Sequence, residues 1–238
     1  MTDTPTSPAT PLGSAWPQRF GTEPAVAPEP VSAADLASQL SARLCHDFVS
    51  PASAIVSGLD LLEDPTAADM RDDAMNLIAA SAKKLVALLS FSRVAFGSSV
   101  SAESFDTREL EKLAQGVYEH VRPSLVWRVA PPVLSKAPAR ALLNLAQIAA
   151  TALPTGGAAT LSAVIQGEEV VMLAEAEGAR ARLRPEVISG LRGEKLEGGL
   201  GGHWVQAYFL HQLLKAAGGK LDYAVAEDRV ALRARAPA

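Results

Sequence analysis

From residue 33 to residue 63 the chain holds no glycine before Gly58 and repeats apolar side chains every three or four residues, which commits it to one long helix. At 100° per residue Leu36, Leu40, Leu44, Phe48, Pro51, Ala54, Ile55 and Leu62 fall on one stripe, with Gly58 beside them. Glu63-Asp64-Pro65-Thr66 breaks the run, and residues 67–96 form a second long helix. Its stripe is Met70, Ala74, Leu77, Ser81, Leu85, Leu88, Ser92 and Ala95. Such spacing suits antiparallel packing at a shallow angle. A hairpin of two helices leaves much of both stripes in water, whereas hairpins from two copies close a four-helix bundle. The expected unit is therefore a homodimer.

The hairpin, residues 32–97, sits between two different kinds of sequence. Residues 1–31 hold seven of the sixteen prolines, and such a segment buries too little apolar surface to offset its ordering entropy. They are expected to be disordered. Residues 96–104, FGSSVSAES, read as a linker. Residues 104–238 then alternate. A helix opens on a capping box, Asp106 followed by Glu109. A strand is expected over 124–130 and a helix over 135–153. Hairpins at 158–166 with 169–176 and at 220–226 with 229–236 flank a short helix at 185–191 and a longer one at 203–217. Helices grouped with mostly antiparallel strands predict a two-layer α/β sandwich, so the fold class is α+β.

Several functions are excluded by composition. The formal net charge is −4 and there is no Lys/Arg block, so no nucleic acid or anionic membrane surface is expected as partner. Cys45 is the single cysteine, which rules out an intrachain disulfide; among apolar neighbours it is expected to be a buried, inert thiol. No apolar run approaches the ~20 residues that span a bilayer, and the N-terminus lacks the basic and apolar regions of a secretory signal. The expected location is the cytoplasm.

Against that background one site stands out. His46 lies roughly 145° from the centre of the first helix's apolar stripe. It shares its side with Gln39, Arg43, Ser50, Ser53 and Ser57, so its imidazole is expected to be exposed among small side chains. Asp47 follows it, and Pro51 removes the amide that would bond to the Asp47 carbonyl. His120, His203 and His211 lack such a setting and read as structural.

His46, Asp47 and Pro51 resemble the phosphoacceptor motif of sensor histidine kinases, in which an acidic residue follows the histidine and a proline closes the motif. Val49 stands where that family has an arginine. The α/β region resembles the kinase ATP-binding domain with its chemistry erased. LLNLAQIA at 142–149 keeps Asn144 but puts Ile148 at the magnesium-ligand position. AEGAR at 176–180 keeps Gly178 but has Ala176 in place of the adenine-binding aspartate and Arg180 in place of a glycine. GGLGG at 198–202 resembles the last glycine motif, and such amides can cradle an anion, although a plain loop serves as well.

An acceptor helix joined to an eroded ATP domain resembles the ChpT-type histidine phosphotransferases of bacterial cell-cycle phosphorelays. The resemblance runs from about residue 35 to the C-terminus. It implies a homodimeric phosphotransferase that binds no ATP and no cofactor of its own. His46 would accept a phosphoryl group from the receiver domain of a hybrid histidine kinase and pass it to response regulators, the Mg2+ coming with the receiver. Asp47 would orient the imidazole, and Arg43 would meet the acidic receiver site or the phosphoryl group. Alternatives are a non-catalytic receiver-binding scaffold, an ATP-dependent histidine kinase and, last, a small-molecule enzyme.

Overall fold

The computed structural model describes residues 31–97, 103–196 and 201–238. The proline-rich tail up to residue 30, most of the expected linker (98–102) and residues 197–200 lie outside them. Helix α1 spans Ala33–Glu63, started by Ser32, whose hydroxyl accepts the amide of Asp35 (3.1 Å). It ends at Asp64, whose carboxylate accepts the amide and the hydroxyl of Thr66 (2.8 and 2.7 Å). That cap opens a 3-10 turn, Pro65–Met70, so α2 begins at Arg71 and runs to Ala95. Residues 67–70, expected as its first turn, belong to the tighter helix. Pro51 is buried and α1 runs through it unbroken.

The two helices pack side by side, with small residues setting their distance. A Cβ at Gly58 would fall 2.6 Å from Ile78 Cγ1, so this position takes no larger residue without a shift. Ala74 and Ser81 are buried at the same seam. Each helix also carries apolar residues that this chain leaves open: Val49 and Val56 on α1, Met75, Val86 and Leu89 on α2. Met70 and Leu77, expected on the packed stripe, are exposed as well. By length and composition Pro65–Ala95 could cross a membrane, contrary to the sequence expectation. In the fold it packs against α1, α3 and α4.

The sandwich follows the expected order closely. Helix α3 (Thr107–Tyr118), α4 (Lys136–Thr151), α5 (Pro185–Leu191) and α6 (Gly202–Ala216) accompany the strands β2 (Ser124–Val129), β4 (Ala158–Gln166), β5 (Glu169–Glu177), β6 (Lys220–Ala226) and β7 (Arg229–Pro237). These strands form one sheet in the order β2-β4-β5-β7-β6. Only β2 with β4 is parallel; the other neighbours are antiparallel, with Leu161 opposite Ala174 and Ala174 opposite Leu232. Alternate residues, Leu161, Met172, Ala174, Leu232 and Ala234 among them, point into one core covered by α4, which is buried along most of its length. Two three-residue strands, β1 (Ser104–Asp106) and β3 (Val133–Ser135), pair separately and carry no sequence signal. The capping box is half formed. Asp106 caps α3 by accepting the Arg108 amide (2.7 Å), but Glu109 pairs with Lys112 (2.7 Å) instead of reaching back.

Candidate functional site

Two joints fix the hairpin on the sandwich. At one, Phe91 and Ala95 of α2 enter the main core. The Asn144 side-chain amide, fully buried, donates to the carbonyls of Ala95 (3.2 Å) and Arg140 (2.9 Å), while Arg140 donates to the Phe96 carbonyl (3.0 Å). At the other, Trp204 and Tyr208 of α6 stack with ring centroids 4.8 Å apart, and Val31, Leu36 and Leu40 pack on them. The Val31 amide donates to the Tyr208 hydroxyl (3.2 Å). Docking α1 across α6 in this way brings the His46 turn over the first turn of α6.

Between them lies a cleft of about 280 Å3, lined by Gln39, Ala42, Arg43, His46 and Asp47 of α1 and by Gly201, Gly202 and His203 at the start of α6. His46 stands at its edge, with 88% of its side chain exposed. Its Nδ1 faces Asp47 Oδ1 at 3.5 Å, which leaves Nε2 to the solvent. The other carboxylate oxygen, Asp47 Oδ2, accepts from Arg43 Nε (3.0 Å). Arg43 also donates from a terminal nitrogen to the carbonyl of Gly202. Only 11% of the Arg43 side chain is exposed, against 25% for Asp47.

These positions bear on the expectations one by one. The exposure of His46 agrees with its place on the helix, and Asp47 does face the imidazole. Arg43, expected to meet the acidic receiver site or the phosphoryl group, is largely buried and bonds to both Asp47 and the Gly202 carbonyl. Arg43 also lines the cleft. Cys45 is exposed, not buried. It precedes Val49 by one helical turn and so falls on the open apolar side of α1, away from α2.

Sequence reasoning missed His203. It is half buried and lines the cleft opposite His46, and burial, followed by the nearby Arg43 and Arg184 charges, lowers its pKa. Its place directly after the glycine run was the available signal. His211 is structural as expected, its Nδ1 lying 2.9 Å from the Leu191 carbonyl.

The residues at the nucleotide-motif positions do not fit ATP and magnesium. Ile148 and Ala176 are buried in the sandwich core and carry no side-chain oxygen. Asn144 spends its amide on the joint with α2. Arg180 takes a positive φ of 63°, with its amide bound to the Asp228 carboxylate (2.7 Å). Among the described residues no three His, Cys, Asp or Glu side chains gather where they could hold a metal ion.

The chain is thus a helical hairpin with an outward histidine, docked on a two-layer α/β sandwich. The model of the histidine phosphotransferase C-terminal domain matches residues 107–229, over half of the chain, and the chain belongs to that family. It is 35% identical over 207 residues to protein phosphotransferase ChpT of Brucella abortus, covering 85% of this chain and 97% of that protein. A bacterial phosphotransferase of known structure superposes with a TM-score of 0.78 at 30% identity, over 87% of this chain and 98% of that one. The histidine kinase AdeS of Acinetobacter baumannii gives a TM-score of 0.43 at 14% identity, over 81% and 97% of the two chains.

Proposed function

We propose that this chain is a histidine phosphotransferase of a two-component phosphorelay, with His46 as its phosphoacceptor. It takes a phosphoryl group from the receiver domain of a hybrid histidine kinase and hands it to the receiver aspartates of response regulators. The observation that carries this reading is the setting of His46: solvent-facing at Nε2, backed at Nδ1 by a carboxylate, on the rim of a cleft shared by both parts of the chain.

With the proton on Nδ1, the Nε2 lone pair attacks the phosphorus of a receiver aspartyl phosphate in line with the acyl oxygen. The N–P bond forms as the P–O bond breaks, and the aspartate carboxylate leaves with that electron pair. The ring becomes cationic, and the Asp47 carboxylate beside Nδ1–H offsets the charge. Passing the group onward reverses each change. Catalysis of this kind is chiefly positioning and charge neutralisation, and the receiver brings its own Mg2+ to the phosphoryl oxygens. No step here uses ATP. The working unit is a homodimer, through the open apolar residues of the hairpin, and its place is the cytoplasm.

The test is to incubate the chain with a phosphorylated receiver domain and Mg2+. An acid-labile, base-stable label on the wild type, lost in His46→Ala, supports the reading. Binding of the receiver without any label would make the chain a scaffold.

A further inference from the structure

The geometry points to Arg43 as a positioning residue for phosphotransfer, acting through Asp47 and anchored to the first turn of α6; this rests on the reading of His46 as phosphoacceptor. Three contacts run in series. The Gly202 carbonyl accepts from Arg43, Arg43 Nε donates to Asp47 Oδ2 at 3.0 Å, and Asp47 Oδ1 faces His46 Nδ1 at 3.5 Å. The chain starts in the sandwich and ends at the nucleophile.

Helix electrostatics alone would not hold this pair. A basic residue four positions before an acidic one is the weaker of the two orders for an ion pair along a helix. An exposed pair of that kind also contributes little, since water competes for both charges. What differs here is the third partner. Arg43 is 159 residues away from Gly202 in sequence, and its planar fork reaches the α6 carbonyl and the Asp47 carboxylate at once. With one oxygen so held, the other is left to face the imidazole. Asp47 can therefore keep the proton on Nδ1 and the lone pair on Nε2, while half of its own hydrogen bonding is already satisfied. Lysine, a point charge on a flexible stem, cannot make both bonds in one plane.

The sandwich thus acquires a task that needs no nucleotide: the first turn of α6 sets the orientation of the acceptor through one side chain. A residue that only braced the two parts, or only touched the receiver, would leave the imidazole itself unchanged.

The experiment uses the full chain, 15N-labelled at histidine, with Arg43→Ala, Arg43→Lys, Asp47→Asn and the double variant Arg43→Ala/Asp47→Asn. Ring-nitrogen shifts of His46 should report mainly the Nδ1–H tautomer in the wild type and a more even mixture in Arg43→Ala. Single-turnover transfer from a phosphorylated receiver should slow about tenfold to a hundredfold at saturating receiver, with half-saturation little changed. Arg43→Lys should recover only part of the rate. The double variant should be no slower than Asp47→Asn, because the arginine acts through the carboxylate. Unchanged ring shifts in Arg43→Ala, additive losses in the double variant, or a loss confined to half-saturation would each overturn the proposal. If His46→Ala still takes label, it is the acceptor assignment that fails, whatever the ring shifts show.

Discussion

Asn144 of α4 donates its side-chain amide to the carbonyl of Ala95, the last residue of α2, at 3.2 Å. Asn144, expected as the remnant of a nucleotide-site motif, serves in the fold as a joint between hairpin and sandwich. Asn144→Ala should cost about 1–2 kcal/mol, the value of buried hydrogen bonds lost. The cost stays moderate because Asn144 Oδ1 is itself buried without a partner, and removing it returns part of the loss. Arg140 also reaches the Ala95 carbonyl (3.4 Å), so Asn144→Ala with Arg140→Ala should cost more than the sum of the two. Urea midpoints of the three variants measure this.

His46→Ala should abolish labelling by receivers while changing the stability read from urea unfolding by less than about 0.5 kcal/mol, since the side chain is almost wholly exposed. Far-UV circular dichroism and labelling, run on the same sample, check both halves. Undiminished labelling would move the acceptor elsewhere.

Mg2+ with ATP at millimolar concentration should leave the melting temperature where it is. A ligand present at a hundred times its dissociation constant would add about 2.7 kcal/mol, an upward shift of several degrees that differential scanning would register. The prediction follows from Ile148 and Ala176, which turn apolar side chains into the core where a nucleotide site needs oxygens.

Much of this fold is legible in the sequence because its elements are long or sharply bounded. The α5 helix lies at 185–191 as its Pro start suggests, and the two late hairpins fall within a residue or so of expectation. The outward place of His46 follows from helical period alone. What the sequence hides is what depends on contacts between distant parts. Arg43 reads as a solvent-facing arginine because its partner Gly202 belongs to α6, and Cys45 reads as core because its sequence neighbours are apolar, although it lies off the stripe that meets α2. The strands β1 and β3, three residues each, are too short to show an alternation. Glu109 had two partners open to it, and Lys112 one turn on outcompeted the helix cap.

His203 should make the chain less stable in acid. Burial, then Arg43 and Arg184, lower its pKa from 6.5, with Glu186 and Asp47 opposing in part. The unfolded chain therefore binds a proton that the folded chain resists. Its unfavourable effect is absent above about pH 6.5, appears as pH falls through that value, and levels off below the folded pKa. His203→Gln should flatten this part of the profile, seen as a smaller drop in urea midpoint between neutral and mildly acidic buffer than in the wild type. An equal drop in both would show that His203 does not titrate differently on folding.

The open apolar residues of the hairpin give the last prediction, a dimer that a single charge disrupts. Val86 of α2 is 62% exposed and Val56 of α1 is 56% exposed, so neither holds this chain's own core together. Val86→Glu and Val56→Glu should accordingly leave the circular dichroism of the chain intact. In a bundle of two hairpins each would bury an unpaired carboxylate, at about 3–5 kcal/mol, and weaken association a hundredfold or more. Leu88→Glu is the informative contrast. Leu88 packs against the main core of its own chain, so that variant should lose structure whether or not the protein dimerises. Light scattering at micromolar concentration should give twice the chain mass for the wild type and one chain mass for the two valine variants. A wild type that is monomeric under those conditions would remove the dimer from the mechanism and leave each hairpin to present its His46 alone.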